Sequence, residues 1–307
     1  MSNNNIAHRQ KFSVAITTEK YQALIRNTLG DPERAKRFIA TITSAVAVNP
    51  VLQECDSGSI LAGALLGESL NLSPSPQLGQ FYLVPFDVSV KGTDGKVLRD
   101  ENNQVIKVKK ASFVLGYKGY IQLALRSGYY KHLNVIEVKE NEFIKYNPFT
   151  EELDCAWITD FEERESAKTI GYAAMFEYLN GYRKVLYWTY EAMLSHADKY
   201  SPAFSKDAYK KIQSGEIPDK DMWKYSSFWY KSFDDMAKKT MLRQLIGKWG
   251  VMSTELQTAF DRDSEILKSN NDGSFDVDDT HTDIIPAGTP IAADADAVIE
   301  KVDLNEI

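Results

Sequence analysis

The chain has 307 residues, 43% of them hydrophobic, enough to bury a sizeable core in one large domain or two small ones. Its formal net charge of −7 is unevenly spread: thirteen acidic and three basic residues lie from Asp261 onward, so residues 1–260 carry about +3. No apolar run approaches the ~20 residues that span a bilayer, "MSNNNIAHRQKF" holds no hydrophobic signal region, and Cys55 and Cys155 show no paired spacing, which speaks against membrane, exported and disulfide-stapled classes and for a reducing cytoplasm.

In chain order, "DPERAKRFIATITSAVAVNP" predicts a helix capped by Asp31, with Pro32 in its first turn and Asn49-Pro50 at its end. "SGSILAGALLGESLNL" predicts a second helix, rich in small residues and mostly buried. Proline turns then lead into a long hairpin, Phe81–Val90 with Val105–Leu115, with "TDGK" at Thr93–Lys96 as its turn. Tyr117–Ser127 has helical spacing and stops at Gly128. Short strands follow from Leu133 to about Phe143. Asn180-Gly181 marks a hairpin between "IGYAAMFEY" and "YRKVLYW". Helices are expected at Phe233–Trp249 and roughly Thr254–Lys268, followed by an acidic, Pro/Gly-punctuated tail that reads as disordered. The fold class is α+β, an antiparallel sheet with helices segregated around it.

The segment from Asn102 to Ile136 carries six Lys/Arg and no Asp/Glu. On the helix within it, Lys118, Gln122 and Arg126 recur at i, i+4 and i+8 opposite an apolar arc that includes Tyr120. Lys107, Lys109, Lys110 and Phe113 lie on the preceding strand. Solvated faces usually mix both charge signs. A single sign over this length favours a phosphate-binding groove, with aromatics available to stack on bases. In "FDDMAKKTMLRQLIGKWG", Lys239 and Arg243 line up at i, i+4 opposite Leu242, Leu245 and Ile246, with Lys238 nearer the apolar side. The tyrosines and tryptophans of "DMWKYSSFWYKSF" are expected mostly in core and interface packing.

Catalytic signatures are sparse. "GTDGKV" has the wrong spacing for a phosphate-binding nucleotide loop, His8, His132, His196 and His281 are scattered, and no G-x-S-x-G elbow occurs. One enzyme-like pattern stands out: Glu137-x-Lys139 on a strand, which with an upstream Asp such as Asp100 would suit a metal-dependent nuclease. Alternation on any half-exposed strand produces the same pattern. A non-enzymatic phage scaffold protein, its basic face turned to acidic protein, is a further alternative.

Three blocks, "LGESLNLSPSPQLGQFYLVPF", "VLGYKGYIQLALRSG" and "MAKKTMLRQLIGKW", resemble the signature blocks of the RecT family of phage single-strand annealing proteins, over about Thr28 to Asp261. The resemblance implies ATP-independent binding and annealing of single-stranded DNA by an oligomer, in rings and helical filaments, beside a partner 5′–3′ exonuclease. It implies DNA-facing roles for Lys118, Gln122 and Arg126, and places the family's basic helix on Lys238, Lys239 and Arg243. It implies no required cofactor, with Mg²⁺ at most modulating DNA binding. The expected organisation is an N-terminal oligomerisation arm (1–30), a DNA-binding annealing core (31–262) and an acidic tail (263–307) for partner proteins, the exonuclease and a host single-strand-binding protein among them.

Overall fold

The structure, a computed structural model, describes residues 11–90, 96–264, 266–269 and 275–278. Its helices are α1 (Phe12–Ala15), α2 (Glu19–Leu29), α3 (Pro32–Ala47), α4 (Ser57–Ser69), α5 (Tyr117–Arg126), α6 (Phe161–Ser166), α7 (Tyr190–Tyr200), α8 (Lys206–Gln213), α9 (Phe228–Lys231), α10 (Phe233–Trp249) and α11 (Thr254–Ser264). Its strands are β1 (Phe81–Ser89), β2 (Lys107–Leu115), β3 (Tyr130–Lys139), β4 (Phe143–Asn147), β5 (Glu152–Cys155), β6 (Thr169–Tyr178), β7 (Arg183–Thr189), β8 (Ile266–Ser269) and β9 (Phe275–Asp278). The mixture is α+β. The chain divides into two compact units: among the described residues, the first holds 11–127 and 252–278 and the second 128–251.

In the first unit, β1 and β2 pair antiparallel without a break from Phe81↔Leu115 to Ser89↔Lys107. β8 and β9 form a hairpin whose β9 meets β1 in parallel at Val88↔Phe275, giving the order β2-β1-β9-β8. α4 packs on this sheet because its small residues let it come close. A Cβ on Gly67 would lie 2.3 Å from the Phe81 ring, and one on Gly63 would lie 2.7 Å from Leu83 Cδ2. The Phe81 and Phe113 rings stack at 5.0 Å between centroids. α3 starts as its sequence predicts: the Asp31 carboxylate accepts from Glu33 N, and Pro32 occupies the first turn.

Three expectations need correction here. Residues 12–29, read as an arm, form α1 and α2, which pack on α3 and bury Phe12, Ile16 and Ile25, so their apolar side chains belong to this core. α11 stops at Ser264 rather than near Lys268, and β8 and β9 stand where a disordered tail was expected to begin. Asp263, on the tail side of the expected boundary, is part of the fold: its carboxylate accepts from Leu115 N and from the Tyr120 hydroxyl, each at 2.9 Å. Residues 1–10, 93–95 of the expected turn, and 265, 270–274 and 279–307 of the tail lie outside the described residues.

In the second unit, β3, β6 and β7 form an antiparallel sheet in the order β3-β6-β7, and β4 and β5 form a separate hairpin. The Asn180-Gly181 signal is a turn as predicted, with Gly181 at φ +85°, although the connection between β6 and β7 takes four residues. α10 lies against all three strands. Its C-terminal end is tied to the sheet by two tyrosines. Tyr178 donates to the Trp249 carbonyl and accepts from Val251 N, and Tyr130 donates to the Val251 carbonyl. Burial pushes the Tyr130 phenol far above its usual range, with Tyr178 adding to the effect. Trp229 and Phe233 of the aromatic-rich segment are core residues, whereas Trp223 is exposed.

Candidate nucleic-acid interface

The helix α5 owes its placement to two glycines. Gly116 N donates to the Gln80 carbonyl at 2.8 Å, and a Cβ on Gly119 would lie only 2.1 Å from that same oxygen. The backbone of residues 79–80 thus runs directly against the first turn of α5, where no side chain fits. Gly79 itself takes φ +62°, and the loop is fixed further by Ser73 N donating to Gln80 Oε1 at 2.7 Å. The aliphatic stem of Lys118 passes over this loop, 3.4 Å from where a Gly79 Cβ would stand.

Lys118, Gln122 and Arg126 are all exposed along one side of α5, as the helical spacing predicts, and the helix carries no carboxylate. Lys118 makes no ion pair among the described residues. Arg126 has a structural duty as well. It donates to the carbonyls of Leu70 and Asn71, each at 2.8 Å, and so caps the C-terminal end of α4. Arg34 of α3 holds the same end, donating to the Glu68 carboxylate at 2.6 Å, the Glu68 carbonyl at 3.1 Å and Asn71 Oδ1 at 3.2 Å. Arg37, exposed and one turn further along α3, has no ion pair among the described residues. Arg34, Arg37 and Arg126 together line a groove of about 360 Å³ beside α4, with Ser73 and Gln80 on its loop side.

Arg34 and Arg37 were missed in the sequence because α3 also carries Glu33 and Lys36, so the criterion of an acid-free segment passes over it. The available signal was their i, i+3 spacing, which puts both on one face.

The other predicted residues divide. Lys107 and Lys110 are exposed on β2, pointing to opposite faces by the strand's alternation. Lys109 shares the side of Lys107 and donates to Glu54 at 2.6 Å; that hydrogen bond holds its ammonium above the ordinary lysine range. Phe113 and Tyr120 are corrections. Phe113 is buried in its stack with Phe81, and Tyr120 is fully buried with its ring edge-on to Phe260 at 5.9 Å, so neither ring has a face for a base. Arg243 is a correction too. α10 is buried not only at Leu242, Leu245 and Ile246 but also at Thr240, Arg243 and Gln244, and Arg243 is 3% exposed. A polar row on a helix implies solvent only if one side of the helix is free, and α10 is enclosed along that row as well. Lys239 is half-buried on the same helix.

Lys238 belongs to a charge network of the second unit. Glu137 receives Lys139 on Oε2 at 2.8 Å and Lys238 on Oε1 at 3.1 Å; Lys238 also meets Asp235 at 3.2 Å. Burial raises the Glu137 pKa, but the Lys139 hydrogen bond and the Lys238 charge outweigh it and hold the carboxyl below its usual range. Both oxygens of the Glu137-x-Lys139 pair are thus taken by ammonium groups, a poor start for the nuclease reading, in which they would ligate a metal. Among the described residues no group of three or more His, Cys, Asp or Glu is placed to hold a metal ion, and no helix is long and apolar enough to cross a membrane.

Comparison with known sequences bears on the chain as a whole. Residues 36–279 match the sequence model of the RecT family. The chain is 34% identical over 273 residues to the uncharacterized protein YqaK of Bacillus subtilis (strain 168), covering 85% of this chain and 78% of that one. It is 26% identical over 231 residues to protein RecT of Escherichia coli (strain K12), covering 75% and 72%.

Proposed function

The chain belongs to the RecT family, whose members are single-strand annealing proteins of recombination, and from this we propose that it binds single-stranded DNA along α5 and anneals complementary strands without ATP, as an oligomer in a phage or prophage recombination system. The observation that carries the site is the exposed row Lys118–Gln122–Arg126, free of carboxylates on its own helix and continuous with the arginine-lined groove beside α4.

The chemistry asked of such a protein is modest. Duplex formation is downhill, with stacking worth about 1.4 kcal/mol per step. The obstacles are repulsion between two phosphate chains and the search for register. Exposed cations screen the first; strands held side by side on neighbouring copies shorten the second by raising effective concentration. Contacts to phosphate leave the Watson–Crick edges free for pairing. Lys107 and Lys110 extend the cationic surface on β2. In this reading Mg²⁺ only modulates binding, the region beyond Asp278 engages a 5′–3′ exonuclease and a host single-strand-binding protein, and the protein acts in the cytoplasm of a bacterial host.

The test is fluorescence-monitored annealing of complementary oligonucleotides without ATP across a salt series. Acceleration that fades with salt is expected. Lys118→Gln should flatten the slope of log K against log salt by about 0.7, one phosphate contact on a single strand, with an unchanged melting temperature. Annealing no faster than in buffer alone would refute the function, and a wild-type slope in the variant would refute the site.

A further inference from the structure

The groove beside α4 already holds an anion, and that anion belongs to the protein. Of its four charged side chains, three are arginines and the fourth is Glu68, whose carboxylate sits 2.6 Å from Arg34 Nε. Arg34 and Arg126 are fixed in place by the carbonyls of Glu68, Leu70 and Asn71 at the negative end of α4. Guanidinium groups held in this way lose little further freedom when an added oxygen takes a remaining N–H. Arg37 brings a third cation with no ion pair among the described residues. Three positive charges against one negative leave the groove with an excess suited to one more anion. The one aromatic ring in the groove lining, Phe38, is 6% exposed and so has no open face, and the groove suits a phosphodiester rather than a stacked base.

We propose that this groove seats a backbone phosphate of the single strand between Arg37, Arg34 and Arg126, and that Glu68 is its internal competitor, holding Arg34 when the strand is away and yielding it when a phosphate arrives. The proposal rests on the annealing reading and adds a regulating residue to it. Each seating exchanges a carboxylate for a phosphate on Arg34, so the strand is held less tightly than three arginines would otherwise hold it. A strand that must shift register before pairing needs such a loose grip.

The experiment uses fluorescence anisotropy of a labelled oligothymidylate with the full chain across a salt series. Arg37→Ala, which removes no internal ion pair, should weaken binding and flatten the log–log salt slope by about 0.7. Glu68→Gln should tighten binding by up to about fivefold, the scale of a part-exposed ion pair, and steepen the slope by about 0.7. Glu33→Gln, which removes an exposed carboxylate paired with Lys36, should leave the slope at its wild-type value. Wild-type affinity and slope in Arg37→Ala would overturn the proposal, as would a Glu33→Gln gain equal to that of Glu68→Gln, because the effect would then be general charge. A wild-type chain that fails to bind the oligonucleotide at low salt would overturn the annealing reading itself, and the proposal with it.

Discussion

Replacing Gly119 by Ala tests how the loop before β1 is held against α5. The added methyl would stand 2.1 Å from the Gln80 carbonyl oxygen, 3.0 Å from its carbon and 2.8 Å from Leu115 Cδ1. Ordinary contact begins at 3.4 Å, so the loop must retreat by about 1.3 Å or α5 must tilt away. The oxygen being pushed is the one that accepts from Gly116 N at 2.8 Å, and that hydrogen bond would be lost. Overpacking of this kind costs about 1–3 kcal/mol and the lost bond about 1 kcal/mol. Alanine's better helix propensity returns about 1 kcal/mol. A net loss of about 2 kcal/mol lowers Tm by about 4–8 °C for units of this size. Differential scanning calorimetry reads the shift, and the annealing assay should show slower pairing, since Ser73 and Gln80 line the arginine groove. A variant as stable as wild type, or more stable, would mean that α5 is not pressed against this loop.

Two further substitutions separate structure from DNA contact. Tyr120→Phe removes the hydroxyl bound to Asp263 and should cost about 1.5 kcal/mol in urea unfolding, while the salt slope of single-strand binding stays at its wild-type value; a flatter slope would restore Tyr120 to the interface. Glu137→Gln leaves Lys139 and Lys238 without their shared carboxylate and should cost about 2–3 kcal/mol near neutrality. Because the folded-state pKa of Glu137 is depressed below 4.5, its contribution is present above that value and lost as pH falls through the folded pKa. The gap between wild type and variant should therefore narrow on acidification below about pH 4.5; a gap that stays constant would contradict the network.

The parts of this fold that could be read in advance are those governed by neighbours in sequence. Asp31 and Pro32 mark the start of α3 because capping is a matter of two or three residues. The β1–β2 ladder follows from two apolar runs flanking a turn signal, and the exposed row on α5 follows from a 3.6-residue period. Charge and aromatic content did not reveal how many sides of an element are covered. Arg243 has the spacing of a surface residue and is buried, because enclosure of α10 depends on segments far away in sequence. Phe113 and Tyr120 look available for stacking until Phe81 and Phe260 are brought against them. Arg34 and Arg37 gain their significance only when α3 comes beside the end of α4. The glycines of "GYKGY" admit the backbone of Gly79 and Gln80, a contact that exists only once β1 and α5 are brought together.

The carboxylate of Asp263 has a practical consequence for anyone dissecting this protein. Composition suggests trimming the acidic end immediately after Arg262, and a shortened chain made that way would lose the carboxylate that accepts from Leu115 N and the Tyr120 hydroxyl. Weakened annealing in such a deletion would then report a loosened junction between β2 and α5, not a missing partner. A cut placed beyond Asp278, after β9, spares both the carboxylate and the added hairpin, and is the one from which the role of the remaining segment can be judged.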